Sequence, residues 1–297
     1  MKFIPALLAL TVSTSAFADD TSRIAVMSAF EPEWVVLQEK LSDPQEIELN
    51  GTKFLTGKIE GKDVVLFLSG VSMVNAAMTT QMAIDKFNIN AIVFSGIAGG
   101  VDPSLNIGDV IVPEQWGQYL EAVYARETDG KFSTPSFMPT TLPNYGMIFP
   151  REVSVARDGG QMEKKFWFKV DGKLLETATK VAAAVKLKDC VAENKCLSKA
   201  PAIHVGGNGV SGTAFVDNAD FREYSFDTFK ATVLDMESAA VAHVADTNSV
   251  PFIAFRSLSD LAGGGDGENE MGTFMGLASA NSAAVVSAFI KALPEQK

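Results

Sequence analysis

The sequence predicts an α/β fold, a central parallel or mixed β-sheet flanked by helices on its faces. Three observations carry that prediction. Short apolar, β-rich runs alternate with amphipathic stretches of helical period along most of the chain. Of its 297 residues 47 % are hydrophobic and 21 % charged, which suffices for a sizeable core and excludes intrinsic disorder. Neither an internal repeat nor a heptad run competes with the alternation. The length would allow two domains, but an α/β fold of this size is commonly one, and a single domain is expected over residues 19–297.

The elements follow in order. Arg23 to Ser28 reads as the first strand, followed by a helix from Pro32 to Leu41. Phe54 to Ile59 and Val64 to Ser69 read as paired strands across the turn Glu60-Gly61-Lys62. Val74 to Phe87 has the small and apolar face of a packed helix. Ala91 to Phe94 is a buried strand running into a Gly-rich turn, Ser95-Gly96-Ile97-Ala98-Gly99-Gly100. Later come a helix at Gly172–Lys186, strands at Ile203–Val210 and Thr232–Leu234, and a helix at Glu237–Asp246. A strand at Phe252–Ser257 and a helix at Thr273–Leu293 close the pattern. Tyr124 to Phe168 breaks it: Pro135, Pro139, Pro143 and Pro150 interrupt a run rich in aromatic residues, and no regular structure is expected there. A long aromatic insertion of this kind is expected to serve as a lid or binding loop.

Composition narrows the function. A formal charge of −11 argues against nucleic-acid and anionic-membrane partners, which need concentrated Lys and Arg. Two His and two Cys argue against a zinc centre, and no metal or organic cofactor is implied. The first 18 residues read as a signal peptide: Met1-Lys2, an apolar run from Phe3 to Leu10, and the small-x-small site Ala16-Phe17-Ala18. The run is too short to span a bilayer, so the expectation is export to the periplasm or medium. Cys190 and Cys196 either pair there or stand as two free thiols. Pairing would contribute about 2.4 kcal/mol in the chain-entropy account.

Three acidic clusters stand at strand ends, where open α/β sheets place their ligands. They are Glu31-Pro32-Glu33, Asp235-Met236-Glu237 and Arg256-Ser257-Leu258-Ser259-Asp260. Singly, each has a structural explanation. Glu33 and Glu237 fall in first helical turns, where carboxylates meet the helix dipole, and Asp260 suits a helix N-cap or loop. Together, AxEPE after strand one, SGIAGGVDPSLNIGDVIVP, GTAFVDN, LDMESAAVAHVA and RSLSD resemble the nucleoside phosphorylase superfamily. The similarity is strongest to the 5′-methylthioadenosine/S-adenosylhomocysteine nucleosidases. It runs from Ile24 to Pro113 and again from Val210 to Ala288.

The resemblance implies a nucleoside phosphorylase-like fold and a role for each motif. Glu33 would activate the attacking water, and Asp260 would protonate the departing adenine at N7. Met236 and Glu237 would bind the ribose, Phe215 and Val216 the base, and Ala98 and Gly99 would approach the nucleoside by their backbone. Arg256 would orient the water or pair with Glu33, with a purely structural ion pair as the equal alternative. The chemistry agrees: cleaving an N-glycosidic bond builds positive charge on the sugar and negative charge on the purine, so an acid, a carboxylate-held water and an anionic site serve it. Phosphorylases of the superfamily carry arginines around the phosphate. Here the first loop carries Glu31 and Glu33 instead, and the strand before the Gly-rich turn has no Arg. Ile97 stands where the hydrolases often place a small hydroxyl residue. His243 reads as a core histidine, and His204 has no assigned role.

The expected activity is hydrolysis of an adenine nucleoside by an exported nucleosidase. The alternatives are a secreted nucleoside-binding or storage protein without turnover and a phosphate-dependent phosphorylase. The resemblance also implies a homodimer, with the segment around Phe132, Phe137, Met138, Tyr145 and Phe149 reaching the partner's 5′ pocket. Folding of that segment over its own subunit is the competing expectation.

Overall fold

The computed structural model describes residues 20–193, 195–265 and 267–295. The signal-peptide expectation for residues 1–18 lies outside them. Twelve strands form one mixed sheet: β1 (Arg23–Ser28), β2 (Ser42–Leu49), β3 (Thr52–Ile59), β4 (Lys62–Leu68), β5 (Ile89–Gly100), β6 (Val110–Val112), β7 (Gln115–Gln118), β8 (Trp167–Lys169), β9 (Ile203–Val205), β10 (Asn208–Ser211), β11 (Ala231–Asp235) and β12 (Phe252–Asp260). Their main path runs β8-β7-β10-β11-β5-β1-β4-β3-β2, with β12 joining β5 to β6 and β9 beside β6. Helices α1 (Glu31–Gln38), α2 (Met73–Lys86), α3 (Gly172–Ala182), α4 (Ala219–Phe229), α5 (Ser238–Thr247) and α6 (Met271–Ala292) flank the sheet.

β5 explains where a site can form. It is buried for most of its length and pairs in parallel with β1 through Phe94 and with β12 through Gly99. β1 ends at Ser28, and β11 takes the vacated edge in the opposite direction, Leu234 against Gly99. The sheet forks there, and the carboxyl ends of β1, β11 and β12 converge on the second half of β5. The α6 helix is long and apolar enough to cross a membrane, but it packs on β5 and β12 and buries Leu277, Val285, Val286, Phe289 and Ile290 in the core.

Several elements differ from expectation for identifiable reasons. The Gly-rich run Ser95–Gly100 continues β5 instead of turning. Its glycines serve packing: a Cβ on Gly96 would lie 1.8 Å from Arg256 Nη1. The expected strand Ile203–Val210 is two strands, broken where Gly206 and Gly207 take φ of +110° and +78°. Glu237 stands at the N-cap position, just outside the first turn of α5, and its side chain makes no cap hydrogen bond. Asp260 ends a strand instead of capping a helix. β2 has no sequence signal because it is an exposed edge strand carrying Pro44.

The 124–168 segment is not irregular throughout. Three short antiparallel pairs occupy it: Ala122–Tyr124 with Ile148–Pro150, Arg126–Thr128 with Lys131–Ser133, and Val153–Ala156 with Met162–Lys165. Cys190 and Cys196 form a disulfide across a small hairpin. Asn281 of α6 ties that hairpin down, donating to Lys188 O at 2.9 Å and accepting from Lys188 N at 2.8 Å. His243 is half-buried and stacks on Phe168 with centroids 4.4 Å apart, and His204 Nε2 lies 3.4 Å from Asp109 Oδ2.

Candidate active site

At the fork lies a cavity of about 180 Å³. Glu33, Ala98, Gly99, Phe215, Val216, Met236, Glu237 and Asp260 all line it. Four acidic residues line it, Glu33, Asp235, Glu237 and Asp260, and among the described residues no Lys or Arg does.

Glu33 sits in the first turn of α1, immediately after β1, so the helix start aims it back at the sheet. Its Oε2 accepts from the amides of Ala29 at 3.0 Å and Phe30 at 3.1 Å, and its Oε1 accepts from Ile97 N at 2.8 Å. Three backbone donors fix a side chain that is 3 % exposed. Burial pushes its pKa up, opposed by the Arg256 charge and by the three amides. Poised in this way, it can accept a proton from a bound water.

Glu237 hangs from the junction of β11 and α5. Its Oε1 accepts from Ser72 N at 2.8 Å, and Oε2 lies 3.7 Å from Arg256 Nη2. Burial, with Asp235 nearby, raises its pKa to about 7 against the pull of Arg256. Ser72 presents its amide from a backbone at φ +85°, a conformation that L-residues rarely adopt.

Asp260 ends β12, beside Gly99, and Ala262 N donates to its Oδ1 at 2.8 Å. Phe215 and Val216 come from the loop between β10 and α4, with Ala214 beside them. Phe215 is 56 % exposed and offers a ring face at the mouth.

Arg256 is the one expected site residue placed elsewhere. It is fully buried behind the wall, not on it. Its Nε lies 2.7 Å from Asp235 Oδ2, and its guanidinium carbon stands 4.0 Å from the centre of the Phe94 ring. No hydrogen bond to Glu33 forms; a middle-of-strand position facing the sheet's fork puts its charge beneath Asp235 and Glu237 instead. Asp235 is further held by the amides of Glu237 and Ser238 and by the Ser211 hydroxyl.

The motifs did not single out Phe30, Val71, Ala214 or Met271 as lining residues, nor Ser72 as a partner of Glu237. Their contributions are backbone amides or ordinary apolar surface, which carry no pattern. Asp235 and Ser259 stood inside recognised motifs, and adjacency to Glu237 and Asp260 was their signal. No residue of the 124–168 segment lines the cavity among the described residues.

A family model described as the phosphorylase superfamily matches residues 23–291. The chain belongs to that superfamily. Within the superfamily it is 31 % identical over 272 residues to a 5′-methylthioadenosine/S-adenosylhomocysteine nucleosidase of Staphylococcus haemolyticus, covering 91 % of this chain and all of the relative. It is 28 % identical over 273 residues to the protein of the same name from Tolumonas auensis, with the same coverage. Among solved structures, the Neisseria meningitidis nucleosidase in complex with methylthio-immucillin-A matches with a TM-score of 0.70 and 26 % identity, over 91 % of this chain and 99 % of that one. The Colwellia psychrerythraea nucleosidase in complex with adenine matches with 0.69 and 26 %, over 91 % and 95 %. The superfamily fold, with its mixed sheet and flanking helices, is therefore the one the sequence predicted.

Proposed function

We propose that this chain is an N-glycosyl hydrolase that cleaves a 5′-substituted adenine nucleoside, of the 5′-methylthioadenosine/S-adenosylhomocysteine type, to adenine and the free sugar. The observation that carries the reading is that four acidic residues line one cavity with no lysine or arginine among its described lining residues. Such a wall offers no cation to hold a phosphate dianion, and its carboxyl groups can stabilise the positive charge that develops on a ribose as its bond to the base breaks. The relatives named above act on these nucleosides, which supports the substrate class.

The residues divide the work. Phe215, Val216 and the β5 backbone at Ala98 and Gly99 hold the purine. Glu237 accepts hydrogen bonds from the ribose hydroxyls. Asp260 gives its proton to adenine N7 as the glycosidic bond breaks and its electron pair moves to the base. Water then attacks the anomeric carbon, and Glu33 takes its proton. Incubating the purified chain with 5′-methylthioadenosine and with S-adenosylhomocysteine tests this. Adenine release is expected; nucleoside binding without release would leave a binding protein, and neither would end the reading.

Export and a homodimer belong to the same proposal. Residues 1–18 have the signal-peptide pattern, and the Cys190–Cys196 disulfide suits an oxidising compartment. Expression in a Gram-negative host, with sequencing of the periplasmic protein, should find a chain starting at Asp19; a cytoplasmic chain keeping Met1 would refute export. For the dimer, the support is apolar surface: Val74 and Phe137 are 74 % and 81 % exposed, and Val71 lines the cavity while 42 % exposed. Tyr145 folds back on its own subunit, against Phe221 and Tyr224, so of the five expected interface residues Phe132, Phe137 and Met138 are the exposed ones that could meet a partner.

A further inference from the structure

In a regular strand, neighbouring residues point to opposite faces, so Ser259 and Asp260 should not share a site. Here they do. Leu258 pairs with Ala98 and Asp260 with Gly99, so two residues of β12 face one of β5 and Ser259 is the extra residue of a β-bulge. Both residues line the cavity, and Ser259 is 1 % exposed. Its Oγ lies 2.9 Å from Asp260 Oδ2 and 3.4 Å from the carbonyl oxygen of Ala98. The other Asp260 oxygen is taken by Ala262 N at 2.8 Å. Ile97, across the cavity wall, brings no hydroxyl to the acid.

We infer that Ser259 is the positioning residue of the general acid, its hydroxyl donating to Asp260 Oδ2 as the proton leaves for the purine. While Asp260 is protonated, Oδ2 is a weak acceptor, and the Ser259 proton is shared with the carbonyl of Ala98. As the Asp260 proton passes to N7 and the C–N electron pair moves to the base, a full carboxylate charge forms. The 2.9 Å contact then becomes a charge-assisted bond. An interaction that strengthens only as the bond breaks raises turnover and leaves substrate binding alone. The Ser259 hydroxyl and the Ala262 amide together fix both carboxyl oxygens of Asp260.

The inference rests on the nucleosidase reading, and a comparison of leaving groups separates the two. Adenine needs a proton to depart, whereas 4-nitrophenolate on the same 5-methylthioribose does not. The Ser259→Ala variant is expected to slow single-turnover adenine release from 5′-methylthioadenosine by about 10- to 100-fold, the worth of one hydrogen bond to a charged acceptor. Its KM should hold, and its cleavage of the 4-nitrophenyl riboside should match the wild-type chain, which also reports a folded site. Equal losses on both substrates would reduce Ser259 to a packing role and overturn the inference, as would an undiminished rate of adenine release. A wild-type chain that releases no adenine would overturn the reading and the inference together.

Discussion

The fork of the sheet and the segment from Ala122 to Lys165 use polar and apolar side chains in opposite ways. At the fork, charged groups are buried and each is held by named partners: Glu33 by three amides, Glu237 by Ser72, Asp235 by two amides, a hydroxyl and Arg256. In the segment, large apolar groups stand in water: Phe137, Met138, Tyr124, Phe132 and Met147 are all exposed. Burying a carboxylate is costly unless hydrogen bonds and an opposite charge compensate it. Four such groups around one cavity, with Arg256 behind them, are the marks of chemistry. Apolar groups left in water are the marks of an interface. On the proposed reading one region sets the reaction and the other sets assembly, so changes in the two should be separable.

The largest effect expected at the fork is that of Asp260→Asn. An amide cannot deliver a proton to N7, so turnover should fall by about 10²–10⁴-fold with nucleoside binding kept. Steady-state adenine release and a binding titration check both halves, and near-wild-type release would remove Asp260 from the mechanism. Glu237→Gln comes next and should raise KM as well as lower kcat, because it touches the sugar in ground and transition states. Its pH signature is specific. With a pKa near 7 in the folded chain against the ordinary 4.5, Glu237 keeps a proton that the unfolded chain has lost, so its contribution to stability fades as pH rises between those values. Denaturant titrations at pH 4.5 and 7.5 should therefore differ less for Glu237→Gln than for the wild-type chain.

Smaller effects belong to the periphery. Phe137→Ser should weaken the proposed dimer by about 10-fold or more, read by light scattering across a dilution series, with the fold kept. An unchanged dimer would free that ring from the interface. Replacing both Cys190 and Cys196 by Ser should cost about 2 kcal/mol of stability and leave the rate of adenine release alone, since their hairpin reaches α6 at Asn281 and not the cavity.

The same contrast explains what the sequence disclosed. Buried strands such as β1, β5 and β12 are near-continuous apolar runs, and their ends carried the acidic motifs, so fold class and the carboxylates Glu33, Glu237 and Asp260 were legible together. For Arg256 the structural ion pair, one of the two readings the sequence left open, is what forms, with Asp235; a motif gives order along the chain, not which face of a strand a side chain takes. The bulge at Ser259 and the strained amide of Ser72 are backbone geometry, set by packing between distant segments. In the short strands Arg126–Thr128, Lys131–Ser133 and Met162–Lys165 nearly every residue faces solvent, so no buried apolar face marks them in the sequence.

The identity of the nucleophile is the central claim, and the sugar product reports it directly. With 5′-methylthioadenosine and saturating inorganic phosphate together, the wild-type chain should release adenine at its phosphate-free rate and yield only free 5-methylthioribose, identified by mass. Accumulation of 5-methylthioribose 1-phosphate, with a rate that rises with phosphate, would contradict the account and make the enzyme a phosphorylase.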